Sequence, residues 1–178
     1  GLAGLSAVSS NPLIIVTAGL AEIAAGSIAM GLGGFLASRS ESDHYQNELQ
    51  REYHEVKVVP EREAAEIVEI FEAYGVTEAE SKPVIEALKR NPDKWVDFMM
   101  KFELGLEEPS PGRAYKSAFT IAGSYIAGGL IPLLPYMLMS QALDALKVSV
   151  GVTLIALLLF GIIKGKYTGV KPIVAGIE

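Results

Sequence analysis

The 178-residue sequence contains no cysteine, which excludes both a disulfide framework and a thiolate metal site. Nothing at its start resembles a cleavable signal peptide, because the initiator methionine and a basic leading segment are both lacking. No phosphate-binding glycine loop and no Ser/His/Asp arrangement stand out. No alternating apolar and polar pattern typical of strands occurs either, so the sequence predicts an all-α protein.

Charge is distributed very unevenly along the chain. Residues 39–108 hold 18 of the 21 acids and 9 of the 15 bases, which gives this block a net charge of −9. The remaining residues carry +3, so the overall net charge of −6 averages two different environments. The acidic block has too few bases for a nucleic-acid partner, and we expect none.

Long apolar runs predict a membrane protein. Half of the residues are hydrophobic and the mean hydropathy is +0.33. Three runs are long enough to cross a bilayer, at residues 12–38, 117–137 and 143–163. Pro132 and Pro135 are expected to break the second run near its end, and small residues such as Gly123 and Gly128 to let its helix pack closely. Residues 1–10 and 170–178 are typical of the end and the start of two more membrane helices, which predicts five spans in a longer protein.

The placement of bases predicts the orientation. Bases flank the acidic block and follow the third run, and three crossings put all of them on one side of the membrane: Arg39, Arg113, Lys116, Lys164, Lys166 and Lys171. By the positive-inside rule this side is the cytosol. We therefore predict membrane helices in residues 1–38, a cytosolic acidic domain in residues 39–110, and further membrane helices in residues 111–178.

Glu22 lies in the middle of the first apolar run. A carboxylate near mid-membrane is costly, by roughly 2.5–3.5 kcal/mol, and usually belongs to an ion pathway, a proton relay or a counter-ion. Met30 follows eight residues later, on about the same side of a helix. A hard oxygen and a soft thioether suit a transition metal better than Mg²⁺ or Ca²⁺. The alternative is a protonated Glu22 that is hydrogen-bonded within a helix bundle, with Met30 as packing.

The acidic block predicts four helices. Residues 40–43 offer N-caps for a polar helix that runs to about Val58, and Pro60 starts a second helix that ends at Gly75. Thr77 and Glu80 form a capping box for a third helix, which runs to Arg90. Asn91 and Pro92 break the third helix, and a short fourth helix follows over residues 93–106.

Acids in this block recur at helical spacing. Glu48, Glu52 and Glu55 share one helix face, Glu63 and Glu66 form an i, i+3 pair, and Met99 and Glu103 an i, i+4 pair. Such acids are most often a solvated surface, and methionines beside aromatic residues such as Trp95 and Phe98 are usually core. A cation that neutralises the cluster is the alternative.

Three stretches carry a resemblance to a known family: GLAEIAAGSIAMGLGGFLASRSE (19–41), EYHEV (52–56) and GSYIAGGLIPLLPY (123–136). They resemble the vacuolar iron transporter family, particularly its plant members, over essentially the whole chain. The resemblance implies a homodimer of five-helix protomers in the vacuolar membrane, with a cytosolic metal-binding domain between the second and third helices. It also implies exchange of Fe²⁺ for protons, with no prosthetic group, and binding of other divalent metals (Zn²⁺, Co²⁺, Ni²⁺ and Mn²⁺).

The resemblance also assigns site residues. Glu22 and Met30 match the metal and proton path through the membrane. The residues that match the cytosolic metal ligands are Glu52, Glu55, Glu63, Glu66, Met99, Met100 and Glu103. The family's functional Asp in its first membrane helix has no counterpart among these residues.

Two other functions fit parts of the pattern. Glu41 and His44 have the Glu-x-x-His spacing of di-iron carboxylate oxidases, although only one copy occurs. A membrane-anchored metal-binding or buffering protein that does not transport is the other alternative, and it leaves Glu22 unexplained.

Overall fold

The computed structural model describes Gly4 and residues 11–168, and within these ranges the chain is helical with no strand. The all-α prediction is therefore confirmed for this part of the chain. The six helices are α1 (Pro12–Val58), α2 (Pro60–Ala73), α3 (Glu78–Lys89), α4 (Pro92–Phe102), α5 (Arg113–Leu138) and α6 (Ala142–Thr168).

Among the residues that the structure describes, three helices are long and apolar enough to cross a membrane: Pro12–Val58, Arg113–Leu138 and Ala142–Lys166. They contain the three predicted apolar runs, so those spans are confirmed by length and composition. The two further membrane helices, predicted in residues 1–10 and 170–178, lie outside the described residues apart from Gly4. The five-helix topology and the insertion of the acidic domain stay predictions.

The predicted helix start at residues 40–43 is wrong, because α1 continues through them without a break. No Gly or Pro interrupts the chain there, and the local polar groups support the helix instead of capping it. Ser42 Oγ donates a hydrogen bond to the Ser38 carbonyl one turn earlier (3.1 Å). Arg39 and Asp43 form an i, i+4 ion pair at 3.2 Å.

The predicted break at Pro132 and Pro135 is also wrong, because α5 runs through both residues to Leu138. A proline inside a helix has no N–H to donate to the carbonyl four residues earlier, which here is the carbonyl of Gly128 or of Ile131. Ser149 Oγ of α6 donates a hydrogen bond to a different carbonyl, that of Pro132, at 2.7 Å, and so links α6 to α5.

The chain divides into two compact units, one formed by residues 36–114 and the other by the residues on either side. In the unit of residues 36–114, the predicted capping box is confirmed, since Glu80 Oε2 accepts hydrogen bonds from Thr77 N (2.9 Å) and Thr77 Oγ1 (2.6 Å). Gly75 lies in the turn that follows α2 and has a φ of +83°, which glycine adopts without strain. The apolar core joins α1 to α4 through Val56, Ile67, Ile85, Trp95, Val96, Met99 and Met100.

In the other unit, glycines let α1 and α5 pack closely. A Cβ at Gly129 would lie 2.7 Å from Ile23 Cγ1, and one at Gly26 would collide with the ring of Tyr125. The sequence pointed instead to Gly123 and Gly128, where a Cβ would meet no described atom within 4 Å. Close packing through small residues is thus present, but it uses other positions than those predicted.

Candidate functional site

Five acids of the 36–114 unit come together although they belong to α1, to α2 and to the C-terminal end of α4. One carboxylate group consists of Glu52, Glu55 and Glu63, and a second of Glu63, Glu66 and Glu103. Within each group, one oxygen per residue lies within 4.8 Å of the others. Two oxygens on opposite sides of a bound transition metal are about 4.2 Å apart, so a small contraction would suffice to hold an ion.

Local sequence explains why Glu52 and Glu63 point inward. Glu52 lies one turn after Leu49 and one turn before Val56, both of which contact the apolar core. Glu63 lies one turn before Ile67, a fully buried core residue. The two carboxylates thus occupy positions where the helix periodicity calls for an apolar side chain.

Burial of these two carboxylates is nearly complete, with 1% of Glu52 and 0% of Glu63 exposed. Oε2 of Glu52 and both oxygens of Glu63 have no hydrogen-bond partner among the described residues. An unpaired buried carboxylate is strongly unfavourable, so the site needs either protons or a cation.

The electrostatics agree with that requirement. The pKa of Glu63 is raised to about 7, mainly by burial and in addition by the neighbouring charges of Glu66 and Glu52. Burial also raises the pKa of Glu52, against the opposing effect of Arg51.

Glu103 follows α4 as its C-cap and is an exposed residue, yet its pKa is also raised to about 7. The main cause is the partial desolvation of its carboxyl group, followed by the charges of Glu52 and Glu66. Without a cation, Glu63 and Glu103 therefore keep protons near neutral pH that solvated carboxyl groups would have lost.

Met99 and Met100 lie in the apolar core, 0% and 2% exposed, beside Trp95. Both methionines belong to α4, and Glu103 of the acid cluster is the C-cap of the same helix. Their predicted role as ligands stays a prediction, as do those of the five acids.

In the other unit, Glu22 is an exposed residue that lines a cleft of about 580 Å³. The remaining wall comes from α1 and α5 and consists mainly of small and apolar residues: Ala18, Gly19, Ile23, Ser124, Tyr125, Gly128, Gly129, Pro132 and Leu133. Met30 is not part of this lining, and 52% of it is exposed. The structure thus puts Glu22, but not Met30, at this cleft.

The sequence analysis missed Arg51, which contacts three carboxylates of α1. Arg51 follows Glu48 by three residues and precedes Glu55 by four, and this spacing predicts ion pairs along one face of a helix. Glu41 and His44, the Glu-x-x-His pair, belong to neither carboxylate group. Glu41 pairs with Arg113 at 3.0 Å, and His44 lies 3.8 Å from Glu48.

Fold and site together define an all-helical protein with several membrane-spanning helices and an acidic helical unit whose carboxylates converge. The chain belongs to the VIT family, whose model matches residues 2–178. It is 57% identical over 176 residues to vacuolar iron transporter 1 of Oryza sativa subsp. japonica, and 56% identical to vacuolar iron transporter 1 of Arabidopsis thaliana. Each match covers 99% of this chain and 70% of the relative.

A more distant relative is Protein CCC1 of Saccharomyces cerevisiae, 39% identical over 168 residues, which are 92% of this chain and 51% of that protein. The resemblance to plant vacuolar iron transporters is thereby confirmed, as is the prediction of a transporter rather than an enzyme.

Proposed function

We propose that the protein moves Fe²⁺ from the cytosol into the vacuole in exchange for protons, as a homodimer in the vacuolar membrane with its acidic unit on the cytosolic side. The names of its relatives support iron as the substrate and the vacuole as the destination. Overlapping ligand preferences extend the proposal to Zn²⁺, Co²⁺, Ni²⁺ and Mn²⁺.

One observation carries the cytosolic part of this proposal. Glu63 is completely buried, both of its oxygens lack a hydrogen-bond partner in the part of the chain that the structure describes, and it belongs to both carboxylate groups. A divalent cation supplies the charge that this arrangement lacks, and metal ligands must be deprotonated to bind. Capture of Fe²⁺ by Glu63 and its neighbours would therefore release protons to the cytosol.

Met99 and Met100 would add thioether sulfur to this set of oxygens. Thioethers favour transition metals over Mg²⁺ and Ca²⁺, which are abundant competitors for any acidic site. In this proposal the acidic unit concentrates the right kind of ion, and the membrane helices move it.

Glu22 would serve the membrane step. Its position in a cleft between α1 and α5 gives an ion one carboxylate at membrane depth. Because both Glu22 and Met30 are exposed in the single chain, a second protomer could bring two of each to a shared axis. Fe²⁺ would pass through this site on its way to the vacuole, and protons would move in the opposite direction.

The test is Fe²⁺ uptake into proteoliposomes with an acidic interior, with the internal pH recorded at the same time. The proposal predicts uptake together with a rise of the internal pH, and neither change in protein-free liposomes. Fe²⁺ binding without uptake would contradict it and favour the membrane-anchored buffering protein.

A further inference from the structure

A single guanidinium group touches three carboxylates on the α1 side of the cluster. Arg51 Nη1 lies 2.8 Å from Glu48 Oε2, Nη2 lies 3.3 Å from Glu52 Oε1, and Nε lies 3.6 Å from Glu55 Oε2. Glu52 and Glu55 form one of the carboxylate groups with Glu63, whereas Glu48 belongs to neither group. Arg51 therefore joins two proposed metal ligands to one acid outside the proposed ligand set.

Arg51 and a bound metal would compete for the same two carboxylates, those of Glu52 and Glu55. The guanidinium contacts Glu52 Oε1 and Glu55 Oε2. Its positive charge and that of a metal ion a few ångströms away would repel each other, most strongly where water is scarce. Glu52 is 1% exposed and the Arg51 side chain 47%, so water screens their contact only from the side of Arg51. A divalent ion that binds Glu52 and Glu55 would have to weaken these ion pairs.

Glu48 gives the guanidinium a place to remain. The Arg51–Glu48 ion pair has the shortest of the three distances, and the Glu48 side chain is 19% exposed. Of the three contacts, the one with Glu52 has hydrogen-bond geometry. Arginine presents its donors as a planar fork, so it can keep one carboxylate while it releases others.

We propose that Arg51 is a resident counter-cation of the acid cluster: it competes with the metal for Glu52 and Glu55, and it withdraws onto Glu48 when the metal binds. This inference rests on the proposed metal capture by the cluster. It makes Arg51 a positioning residue that lowers the affinity of the site, which suits a site that must pass its ion on.

The experiment measures Co²⁺ affinity of the full-length protein in detergent by chelator competition at fixed pH and ionic strength. Arg51→Gln should bind Co²⁺ about tenfold more tightly, the factor expected when two partly exposed ion pairs no longer compete. Lys94→Gln removes the same charge from the same unit but breaks only the exposed Lys94–Asp97 pair (3.8 Å), so its affinity should change less than about twofold.

A double-mutant cycle separates competition from a simple charge effect. Glu48→Gln removes the withdrawal site and should weaken Co²⁺ binding in the parent, because Arg51 then rests on the ligands alone. In the Arg51→Gln background the same change should have a clearly smaller effect. Equal effects in both backgrounds would mean that Glu48 acts only through its charge, and would overturn the withdrawal step.

Folding is checked by circular dichroism, and Arg51→Lys serves where Arg51→Gln does not fold. Lysine keeps the charge but cannot contact three carboxylates as a fork, so Co²⁺ binding should still be tighter than in the parent. Unchanged or weaker binding in the folded variant would overturn the inference.

Glu63→Gln tests the proposed metal capture separately from the proposed role of Arg51. If Glu63→Gln leaves Co²⁺ binding intact, the cluster is not the metal site, and both the proposed capture and the role of Arg51 fall. If Glu63→Gln abolishes binding while neither Arg51 variant strengthens it, only the role of Arg51 falls.

Discussion

Glu52 and Glu63 belong to different helices, yet a carboxylate oxygen of one lies within 4.8 Å of a carboxylate oxygen of the other. Both residues are buried at positions where their helices face an apolar core. Such an arrangement destabilises the fold unless protons or a cation neutralise it. The proposed capture of Fe²⁺ by these carboxylates would offset this cost.

Glu63→Gln should abolish tight metal binding and stabilise the metal-free protein at pH 8. The neutral amide removes a buried charge whose pKa is about 7, and one pKa unit corresponds to about 1.4 kcal/mol, so a gain on the order of 1–3 kcal/mol is expected. Thermal unfolding in detergent, with and without Co²⁺, measures both effects.

Glu69→Gln is the matched control, because Glu69 is an exposed acid on the same helix. It should change neither metal affinity nor stability appreciably. Equal behaviour of the two variants would show that burial of Glu63 is not what matters.

Stability of the metal-free protein should fall as the pH rises from 5 to 8. The pKa values of Glu63 and Glu103 are about 7 in the folded state and are raised from an ordinary value of 4.5. Their contribution is therefore fully present below pH 4.5 and is lost as the pH passes through 7. Unfolding temperatures in the presence of a chelator give this profile.

Saturating Co²⁺ should reverse the pH dependence, because metal binding needs deprotonated ligands and stabilises the folded state. A profile that is flat in the chelator, or that is unaffected by the Glu63→Gln and Glu103→Gln double substitution, would contradict the assignment of these two groups.

Met99→Leu tests the thioether. Leucine has nearly the same volume, so the core should lose less than about 1.5 kcal/mol of stability. If Met99 is a ligand, the preference for Co²⁺ over Mg²⁺ should fall several-fold, as measured by competition binding. An unchanged preference would leave Met99 as core packing only, in keeping with its complete burial beside Trp95.

Gly129→Ala should lower the unfolding temperature of the membrane unit, because the added Cβ would lie 2.7 Å from Ile23 Cγ1. Gly123→Ala is the control on the same helix, since its Cβ meets no described atom within 4 Å. Equal unfolding temperatures for the two variants would argue against close packing of α1 and α5 at Gly129.

Periodicity and caps predicted much of the fold. Apolar runs located the three membrane-spanning helices, and Pro60, Gly75 and the Thr77–Glu80 capping box marked helix ends correctly. The predicted helix start at residues 40–43 was wrong because serine and aspartate occur both as helix caps and within helices. The residue types alone do not distinguish the two cases, and here α1 continues through them. Pro132 and Pro135 failed as a break because the chain stays helical through both residues to Leu138, where α5 also contacts α6 through the hydrogen bond from Ser149 to the Pro132 carbonyl.

The candidate site was predicted in part. Helical spacing put Glu52 and Glu55 on one face, and the family resemblance supplied Glu63 and Glu103, but spacing carries no distance between helices. The convergence at Glu63 and the burial of its carboxylate follow from the packing of α1, α2 and α4 around Ile67 and Trp95. Arg51 was missed because an arginine among acids on a helix usually signals solvated ion pairs alone.

The most direct test of the account compares Glu22→Ala with Glu63→Ala in Fe²⁺ uptake by proteoliposomes with an acidic interior, while the internal pH is recorded. Asp144→Ala is the control, since Asp144 belongs to the same unit as Glu22 but lies outside the cleft, where it is paired with Lys147 at 3.1 Å. We predict that Glu22→Ala abolishes both uptake and the rise of internal pH, that Glu63→Ala only slows uptake at low Fe²⁺, and that Asp144→Ala transports like the parent. Full transport by Glu22→Ala, or the same loss in the Glu22 and Glu63 variants, would contradict the separation of membrane transport from cytosolic capture.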